Sequence, residues 1–390
     1  MGTATLGLDM DGSHKLPSRA PRYFTFALLG FLASFLLLPS SKAVNNFFYA
    51  FLALPGLLLI ISARVPRFRV TLLVGLWTLF FSWLALRAVW GGDGDFFKYL
   101  FFNALFCLII WLWVDWRRLD DVALFQVFFW ALIFYVTGTA LLYWWTGQVE
   151  VGVRVLALPS RLQGPILTSI LIVSCFALVL PEYLRKRNWW ALLAAVVGII
   201  FCVGFVLQSR SGLVGLVALL AFACGKLVCE GSWQSRAGAI AAVVLLGWIG
   251  SLSLQHSEVA VQLIARADSG RFELWGQYFQ LWRECGVMLG CGPSFSPDIR
   301  IQNGLAIQHP HNIFLAMGFR YGLLGLLLFA VTMLLTLQKA REQRSAWGGY
   351  LLIALAMLNF DGRELINSPH EVWLLVWVPA MLIAAREQRP

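Results

Sequence analysis

Charged residues are scarce in this chain of 390 residues, because Asp, Glu, Lys and Arg together make up only 13% of it. A soluble globular protein has about 25% charged and about 45–50% apolar residues, whereas 59% of this chain is hydrophobic. The composition excludes a water-soluble enzyme with one polar surface. It predicts an all-α integral membrane protein whose spans use most of the chain, leaving no room for a large separate catalytic domain.

Signatures of nucleotide, metal and nucleic-acid binding are also absent. The sequence contains no glycine-rich phosphate loop and no dinucleotide fingerprint, and no His-x-x-x-His or Cys-x-x-Cys pair that would begin a zinc site. The net charge is +10, but no block of Lys and Arg with interleaved aromatic residues accompanies it. We therefore expect no metal, no cofactor and no nucleic acid, and we attribute the basic charge to membrane topology and lipid head groups.

Long apolar windows are abundant instead. A membrane-spanning helix needs about 20 apolar residues, and we predict twelve spans in a single polytopic domain, residues 1–390. The last two windows are short and need flanking residues or tilt to cross a bilayer. The twelve windows are 23–38, 47–62, 70–90, 96–114, 122–145, 165–184, 189–206, 212–229, 237–254, 311–337, 346–359 and 372–385.

Basic residues predict which ends of these spans face the cytoplasm. With a cytoplasmic N-terminus, most Lys and Arg residues fall in inner segments, as the positive-inside rule requires. Both termini are then cytoplasmic, and 23–38 is a retained span rather than a signal peptide. The one long connection, residues 255–310 between spans 9 and 10, lies on the outer side. Within it, the spacing of apolar residues over 271–282 predicts a short amphipathic helix at the membrane surface.

Several arginines fall on the outer face, where the positive-inside rule does not explain them. Guanidinium groups bind phosphate oxygens in bidentate geometry, and a lipid-linked diphosphate would lie at this depth. The alternative is that the side chains simply reach toward lipid head groups. Arg161 and Arg210 favour a functional role, because Arg210 lies in a short polar turn between two apolar spans. The outer arginines are Arg87, Arg154, Arg161, Arg210, Arg266, Arg271 and Arg320.

Histidine is rare, with five residues in the chain. His311 immediately precedes a span on the outer side, where an imidazole is suited to general-base work near neutral pH. A structural role at the interface is the alternative for His311 and for the neighbouring His309. Asp361, at the outer end of a short span, could orient a histidine or an arginine, or it could pair with Arg363 as an ordinary loop charge.

Two of the seven cysteines, Cys285 and Cys291, share the long outer loop. An oxidising compartment would permit a disulfide between them, but their spacing alone leaves this open. The other five fall in or beside spans and behave as small apolar residues.

These motifs resemble a known family. His311 and Asn312, nine further residues, and then Gly322 and Gly325 are similar to the His-(Asn/Ser/Gln)-x9-Gly-x-x-Gly pattern of bacterial O-antigen ligases. The run from Arg271 to Leu274 resembles the family's Arg-x3-Leu element, and the turn around Arg210 resembles its Ser-Arg-Ser-Gly turn. The matching motifs lie within residues 208–212 and 268–325, whereas the predicted topology resembles that of the family over the whole chain.

The resemblance implies a glycosyltransferase of the bacterial inner membrane with its active site facing the periplasm. Its donor would be undecaprenyl-diphosphate-linked O-antigen, and its acceptor a sugar hydroxyl of lipid A–core, without metal or nucleotide. His311 would be the general base in an inverting displacement, and Asp361 the family's outer carboxylate. The residues that would neutralise the donor diphosphate are Arg161, Arg210 and Arg271, with Arg154 and Arg87.

Two other classes stay open from the sequence. An O-antigen polymerase or a protein O-oligosaccharyltransferase uses the same donor lipid with a different acceptor. A polytopic lipid-glycan transporter could also have twelve spans, but it should carry ionisable residues at the membrane midplane and internal repeats. Neither feature is evident in the sequence, because the charges gather near the ends of the spans.

Overall fold

The computed structural model describes residues 19–66, 68–162, 164–230, 236, 261, 270–300, 306–362 and 364–388. Most of these residues are helical. The helices are α1 (Ala20–Leu37), α2 (Ser41–Ile61), α3 (Leu72–Trp90), α4 (Gly94–Trp113), α5 (Trp116–Leu119), α6 (Val122–Trp145), α7 (Pro165–Arg185), α8 (Trp189–Val206), α9 (Arg210–Glu230), α10 (Arg271–Cys285), α11 (Ile313–Glu342), α12 (Ala346–Met357) and α13 (Val378–Gln388). A two-residue antiparallel strand pair, β1 (Ile299–Arg300) with β2 (Ala306–Ile307), accompanies them.

Nine of the helices within the described ranges are long and apolar enough to cross a membrane, and they coincide with nine of the predicted windows. They are α1, α2, α3, α4, α6, α7, α8, α9 and α11. The chain is therefore a multi-pass α-helical integral membrane protein. The window 346–359 forms α12, which has only 12 residues, and 372–385 forms a π-helical turn followed by α13. The window 237–254 lies outside the described residues, so the total of twelve stays a prediction.

Local signals in the sequence start these helices. The side chain of Asn312 accepts hydrogen bonds from the backbone N–H groups of Phe314 and Leu315, both at 3.0 Å, and so begins α11. Asp93 caps α4 in the same way. Pro165 occupies the first turn of α7, where its missing N–H leaves no helical hydrogen bond unmade.

Helix α7 is the most enclosed of the long helices. Of its apolar window, 89% is buried, compared with 28% for α2. It packs against α6, α9 and α12, and the fully buried side chains of Trp373 and Trp377 lie in the same apolar core. Because α9 packs on this shielded helix, the first residue of α9, Arg210, is held on a rigid element.

Helix α11 is broken at Gly322, whose φ of 73° and ψ of −179° are not helical. Side chains are essentially excluded from this backbone region, and a Cβ at Gly322 would collide with the backbone oxygen of Met288. The break leaves three carbonyl groups without their helical donors. Outside donors replace them: Cys291 N donates to Phe319 at 2.7 Å, Gly292 N to Arg320 at 3.0 Å, and Trp83 Nε1 to Tyr321 at 3.0 Å.

The predicted amphipathic helix exists as α10, but its apolar stripe has a different partner from the one expected. Leu274, Tyr278 and Trp282, spaced four residues apart, are buried against α11 rather than turned toward a membrane surface. The Tyr278 hydroxyl donates to the Ile307 carbonyl at 3.3 Å, and burial raises the pKa of this phenol. The helix is therefore anchored to the protein, because the break in α11 supplies an apolar surface that the sequence pattern does not reveal.

Cys285 and Cys291 form a disulfide, which resolves the pairing that the sequence left open. The bond joins the end of α10 to the segment whose N–H groups cap the break in α11. It thus links α10 to α11, the two helices that carry motif residues.

Candidate active site

One cavity of about 270 Å³ brings together most of the residues that the motifs singled out. It lies where α7 and α9 begin, beside the start of α10 and the residue that precedes Asn312. Three arginines and one carboxylate contribute to its wall, so the cavity is suited to an anionic ligand. The lining residues are Arg154, Ile166, Gln208, Ser209, Arg210, Ser211, Gly270, Arg271, Leu274, Ile307, His311 and Asp361.

The centre of the cavity wall is a hydrogen-bonded pair. His311 Nδ1 lies 2.7 Å from Asp361 Oδ1. The Asp361 side chain is 5% exposed and that of His311 is 29% exposed, so the carboxylate is shielded while the imidazole is accessible. When the carboxylate accepts a hydrogen from Nδ1, the lone pair resides on Nε2, which is the arrangement a general base requires. Of the roles considered for Asp361, the structure shows contact with His311; Arg363 lies outside the described residues.

Glycine 362 allows Asp361 to approach His311. A Cβ at Gly362 would collide with the backbone nitrogen of Ile313 and the carbonyl oxygen of Leu358. These two atoms also form the hydrogen bond that joins the start of α11 to the end of α12, at 3.1 Å. Gly362 was not predicted from the sequence, although the Asp-Gly pair is a recognised turn signal.

His311 and Gln208 both have left-handed backbone conformations, with φ of 53° and 44°. For residues other than glycine this region is sparsely populated, and such strain is typical of functional sites. The Asn312 cap begins α11 directly after His311. The motif residue Asn312 therefore acts through the backbone, because it sets the point at which the chain turns from His311 into the helix.

The polar turn at the start of α9 is tied to the segment that carries Arg154. Gln208 Nε2 donates to the Gly152 carbonyl at 2.8 Å, and Arg154 Nε donates to the Leu207 carbonyl at 2.8 Å. Close packing also explains the glycine of the turn, since a Cβ at Gly212 would lie 2.6 Å from a methyl carbon of Val203. No role was predicted for Gln208 from the sequence, although it lies in the turn that carries Arg210.

Arg271 begins α10, directly after Gly270, whose φ is 71°. Trp275 Nε1 donates to the Pro310 carbonyl at 2.8 Å, so this helix is attached to the residue preceding His311. Leu274 is buried and lines the cavity. It follows Arg271 by three positions, one fewer than the Arg-x3-Leu pattern specifies, so this part of the motif match is inexact.

Arg87 and Arg161, which the sequence analysis placed with the donor, do not line the cavity. Arg161 pairs with the nearly buried carboxylate of Glu371 at 3.3 Å, and Arg87 donates to the Gly290 carbonyl at 3.4 Å. Arg320 is buried, pairs with Glu364 at 2.5 Å and donates to the Pro293 carbonyl. These arginines hold outer loops in place, and sequence position could not separate them from the arginines of the cavity.

The motif glycines act through packing. Gly322 permits the break in α11, and a Cβ at Gly325 would lie 3.1 Å from Trp83 Nε1, the group that donates to the Tyr321 carbonyl. His309 lies beside His311, with the two rings tilted by 53° and their centroids 4.4 Å apart. Among the described residues, no group of three His, Cys, Asp or Glu side chains is arranged to hold a metal ion.

Comparisons with known proteins agree with the motif reading. Residues 151–330 match the family described as O-Antigen ligase, a segment that includes His311, Arg210, Arg271 and both motif glycines but not Asp361. The chain is also 29% identical, over 270 residues, to a protein of Pseudomonas aeruginosa named O-antigen ligase. That alignment covers 64% of this chain and 60% of the relative's length. Residues 151–330 are therefore similar to the O-antigen ligase family, and the chain spans about 60% of the length of the relative that it matches.

Proposed function

We propose that this protein transfers O-antigen polysaccharide from undecaprenyl diphosphate to a sugar hydroxyl of lipid A–core, in lipopolysaccharide biosynthesis. The observation that carries the proposal is the convergence of the His311–Asp361 pair and three arginines on one cavity. A diphosphate leaving group needs positive charge, and an acceptor hydroxyl needs a base. The cavity wall holds both kinds of group.

The reaction we propose is a single displacement. The acceptor hydroxyl oxygen forms a bond to the anomeric carbon of the donor glycan as the bond from that carbon to the diphosphate oxygen breaks. The hydroxyl proton moves to Nε2 of His311, and Asp361 stabilises the imidazolium through Nδ1. Undecaprenyl diphosphate leaves, and the anomeric configuration inverts.

Arg154, Arg210 and Arg271 are the cations that we assign to the donor diphosphate, because these three line the cavity. Negative charge on the diphosphate grows as the glycosidic bond breaks, so cations at that position stabilise the transition state more than the ground state. We do not assign Arg87 and Arg161 to the diphosphate, because they hold loops outside the cavity.

We propose that the cavity faces the periplasm of the bacterial inner membrane and that both termini are cytoplasmic. The Cys285–Cys291 disulfide lies on the same end of the bundle as the cavity, and disulfides persist in oxidising compartments. Basic residues gather at the opposite ends of the helices, as the positive-inside rule expects for a cytoplasmic side. They include Arg185, Lys186, Arg187, Lys339, Arg341 and Arg344.

A reconstituted reaction tests the proposal. Purified protein is mixed with undecaprenyl-diphosphate-linked glycan and either lipid A–core or an acceptor peptide, without nucleotide, in the presence of a strong chelator. We expect glycosylated lipid A–core with an inverted linkage. Product with the peptide would assign a protein O-oligosaccharyltransferase, and longer glycan on the donor lipid would assign a polymerase. Movement of the donor across vesicles without any product would assign a transporter.

A further inference from the structure

A second and larger cavity, of about 780 Å³, lies at the other end of the helices that begin at the candidate active site. Helices α7 and α9 start beside the first cavity, and their last turns line this one. The walls also include the first half of α12. They are formed mainly by apolar side chains, among them Leu180, Leu184, Leu219, Phe222, Leu352 and Ile353.

Three basic side chains line this mainly apolar cavity, each from the last turns of α7 or α9 or from the turn before α8. Arg185 is the last residue of α7, Arg187 belongs to the turn before α8, and Lys226 lies near the end of α9. Arg185 is held in place by two hydrogen bonds to Glu182, at 2.8 and 2.7 Å. A cavity with mainly apolar walls and basic side chains has the charge and polarity to receive an amphiphile that carries an anionic head group.

We propose that this cavity binds an anionic phospholipid, with an acyl chain between α7, α9 and α12 and the phosphate beside Arg187 and Lys226. Guanidinium and ammonium groups bind phosphate oxygens as charge-assisted donors. Basic side chains that merely extend toward the lipid surface need no cavity. Here, the side chains of Arg185, Arg187 and Lys226 all line one cavity.

Lys186 provides a matched comparison. It lies between Arg185 and Arg187, its side chain is 63% exposed, and it pairs with Glu182 at 2.9 Å, but it does not line the cavity. Arg64 is another exposed basic residue that does not line the cavity. Replacing Lys186 and Arg64 removes the same charge as replacing Arg187 and Lys226.

Gly349 allows the apolar part of the cavity to be tested separately from the charges. It lies on the cavity wall in α12, and the nearest atom to an added Cβ would be the Ala177 backbone oxygen at 3.9 Å, an ordinary contact distance. In the variant Gly349→Phe, the ring would occupy the space that we assign to the acyl chain while every basic residue remains.

The experiment counts lipids bound to the purified full-length protein by native mass spectrometry, titrating phosphatidylglycerol against zwitterionic phosphatidylethanolamine. We expect the protein to prefer phosphatidylglycerol. Arg187→Gln with Lys226→Gln should lower its affinity about 25-fold, at about five-fold per charge. Lys186→Gln with Arg64→Gln should change it less than about two-fold, and Gly349→Phe should abolish binding at this site.

Several results would overturn the proposal. Equal losses of phosphatidylglycerol affinity in the two double charge variants would mean that the basic surface as a whole attracts the lipid. Equal affinity for phosphatidylglycerol and phosphatidylethanolamine would exclude recognition of the head group. Unchanged lipid counts in every variant would mean that another occupant fills the cavity, such as the chain's own residues 237–254 or a second copy of the chain. If Gly349→Phe does not fold, the comparison of the two charge variants still decides, because their side chains are exposed.

Discussion

His311 combines a strained backbone conformation with a ring that is held by a hydrogen bond. Its φ of 53° is a strained conformation for a residue other than glycine, and its Nδ1 is held 2.7 Å from a nearly buried carboxylate. The Asn312 cap and the Asp361 hydrogen bond together fix the backbone and the ring. An imidazole held in this way keeps Nε2 in one direction, which a general base requires.

Replacing His311 by alanine should lower kcat about 10²–10⁴-fold with little change in the donor KM, because a general base acts in the transition state. Asp361→Asn should lower kcat about 10–100-fold, since the ring is then oriented less well. Steady-state kinetics of the reconstituted transfer measures both. His309→Ala is the matched control, because the His309 ring contacts that of His311 but does not line the cavity. Equal losses in the His309 and His311 variants would contradict the assignment.

Arg210 should contribute as a guanidinium fork rather than as a point charge. Arg210→Ala should reduce kcat/KM for the donor about 10–100-fold, the amount expected for a hydrogen bond to a charged group. Arg210→Lys should recover only part of this loss. Arg161→Lys serves as the control, since Arg161 lies outside the cavity and a lysine can still pair with Glu371. Full recovery by lysine at position 210 would exclude bidentate binding of the diphosphate.

At the scale of elements, the broken helix α11 organises the segments that pack around the disulfide. Its Phe319 and Arg320 carbonyls accept from Cys291 and Gly292, and the disulfide to Cys285 extends the connection to α10. The Gly-x-x-Gly spacing was recognisable in the sequence as a motif. That Gly322 interrupts the helix was not, because the apolar pattern of 311–337 runs through it without a break.

Gly322→Ala should lower the free energy of unfolding by about 2–5 kcal/mol, because alanine is strained at this φ and its Cβ would meet the Met288 carbonyl. Thermal unfolding in detergent measures the change. Gly276→Ala is the control: this glycine lies within α10 with open space around it, so alanine should be neutral or slightly stabilising. A Gly322→Ala protein as stable as the wild type would show that the break does not require glycine.

At the scale of the whole molecule, residues 364–371 join two segments that are far apart in the chain. Glu364 pairs with Arg320 of α11, and Glu371 pairs with Arg161. His370 lies between them, with its ring nitrogens 2.8 Å from the Ser368 carbonyl and 3.1 Å from the Glu364 carbonyl. Burial lowers the pKa of His370, and Arg161 lowers it further, while Glu371 and the two carbonyls oppose this.

The stability of the protein should therefore decrease in acid. A lowered pKa in the folded state means that the unfolded chain takes up the proton first, so this contribution is fully present above about pH 6.5 and is lost as the pH falls through the folded value. Melting temperatures measured between pH 7.5 and 5 should fall less steeply for His370→Gln than for the wild type. A steeper fall in the variant would mean that protonated His370 stabilises the fold.

Much of this protein follows from local properties of the chain. Apolar windows and the scarcity of charge predicted the membrane helices, and residue type with motif spacing singled out His311, Arg210, Arg271 and Asp361 as candidates. Each of these signals is contained within a short stretch of sequence. Hydrophobicity and capping act between near neighbours, so a reader of the sequence can recognise them without knowing the fold.

Other features depend on packing between distant segments and could not be read in that way. Arg154 and Arg161 are seven residues apart and chemically identical, yet Arg154 lines the cavity whereas Arg161 pairs with Glu371. The partner of Asp361 lies fifty residues away in the chain. Which side chains meet is set by how the helices pack and where α11 breaks, because long-range contacts, unlike helix formation, have no local sequence signal.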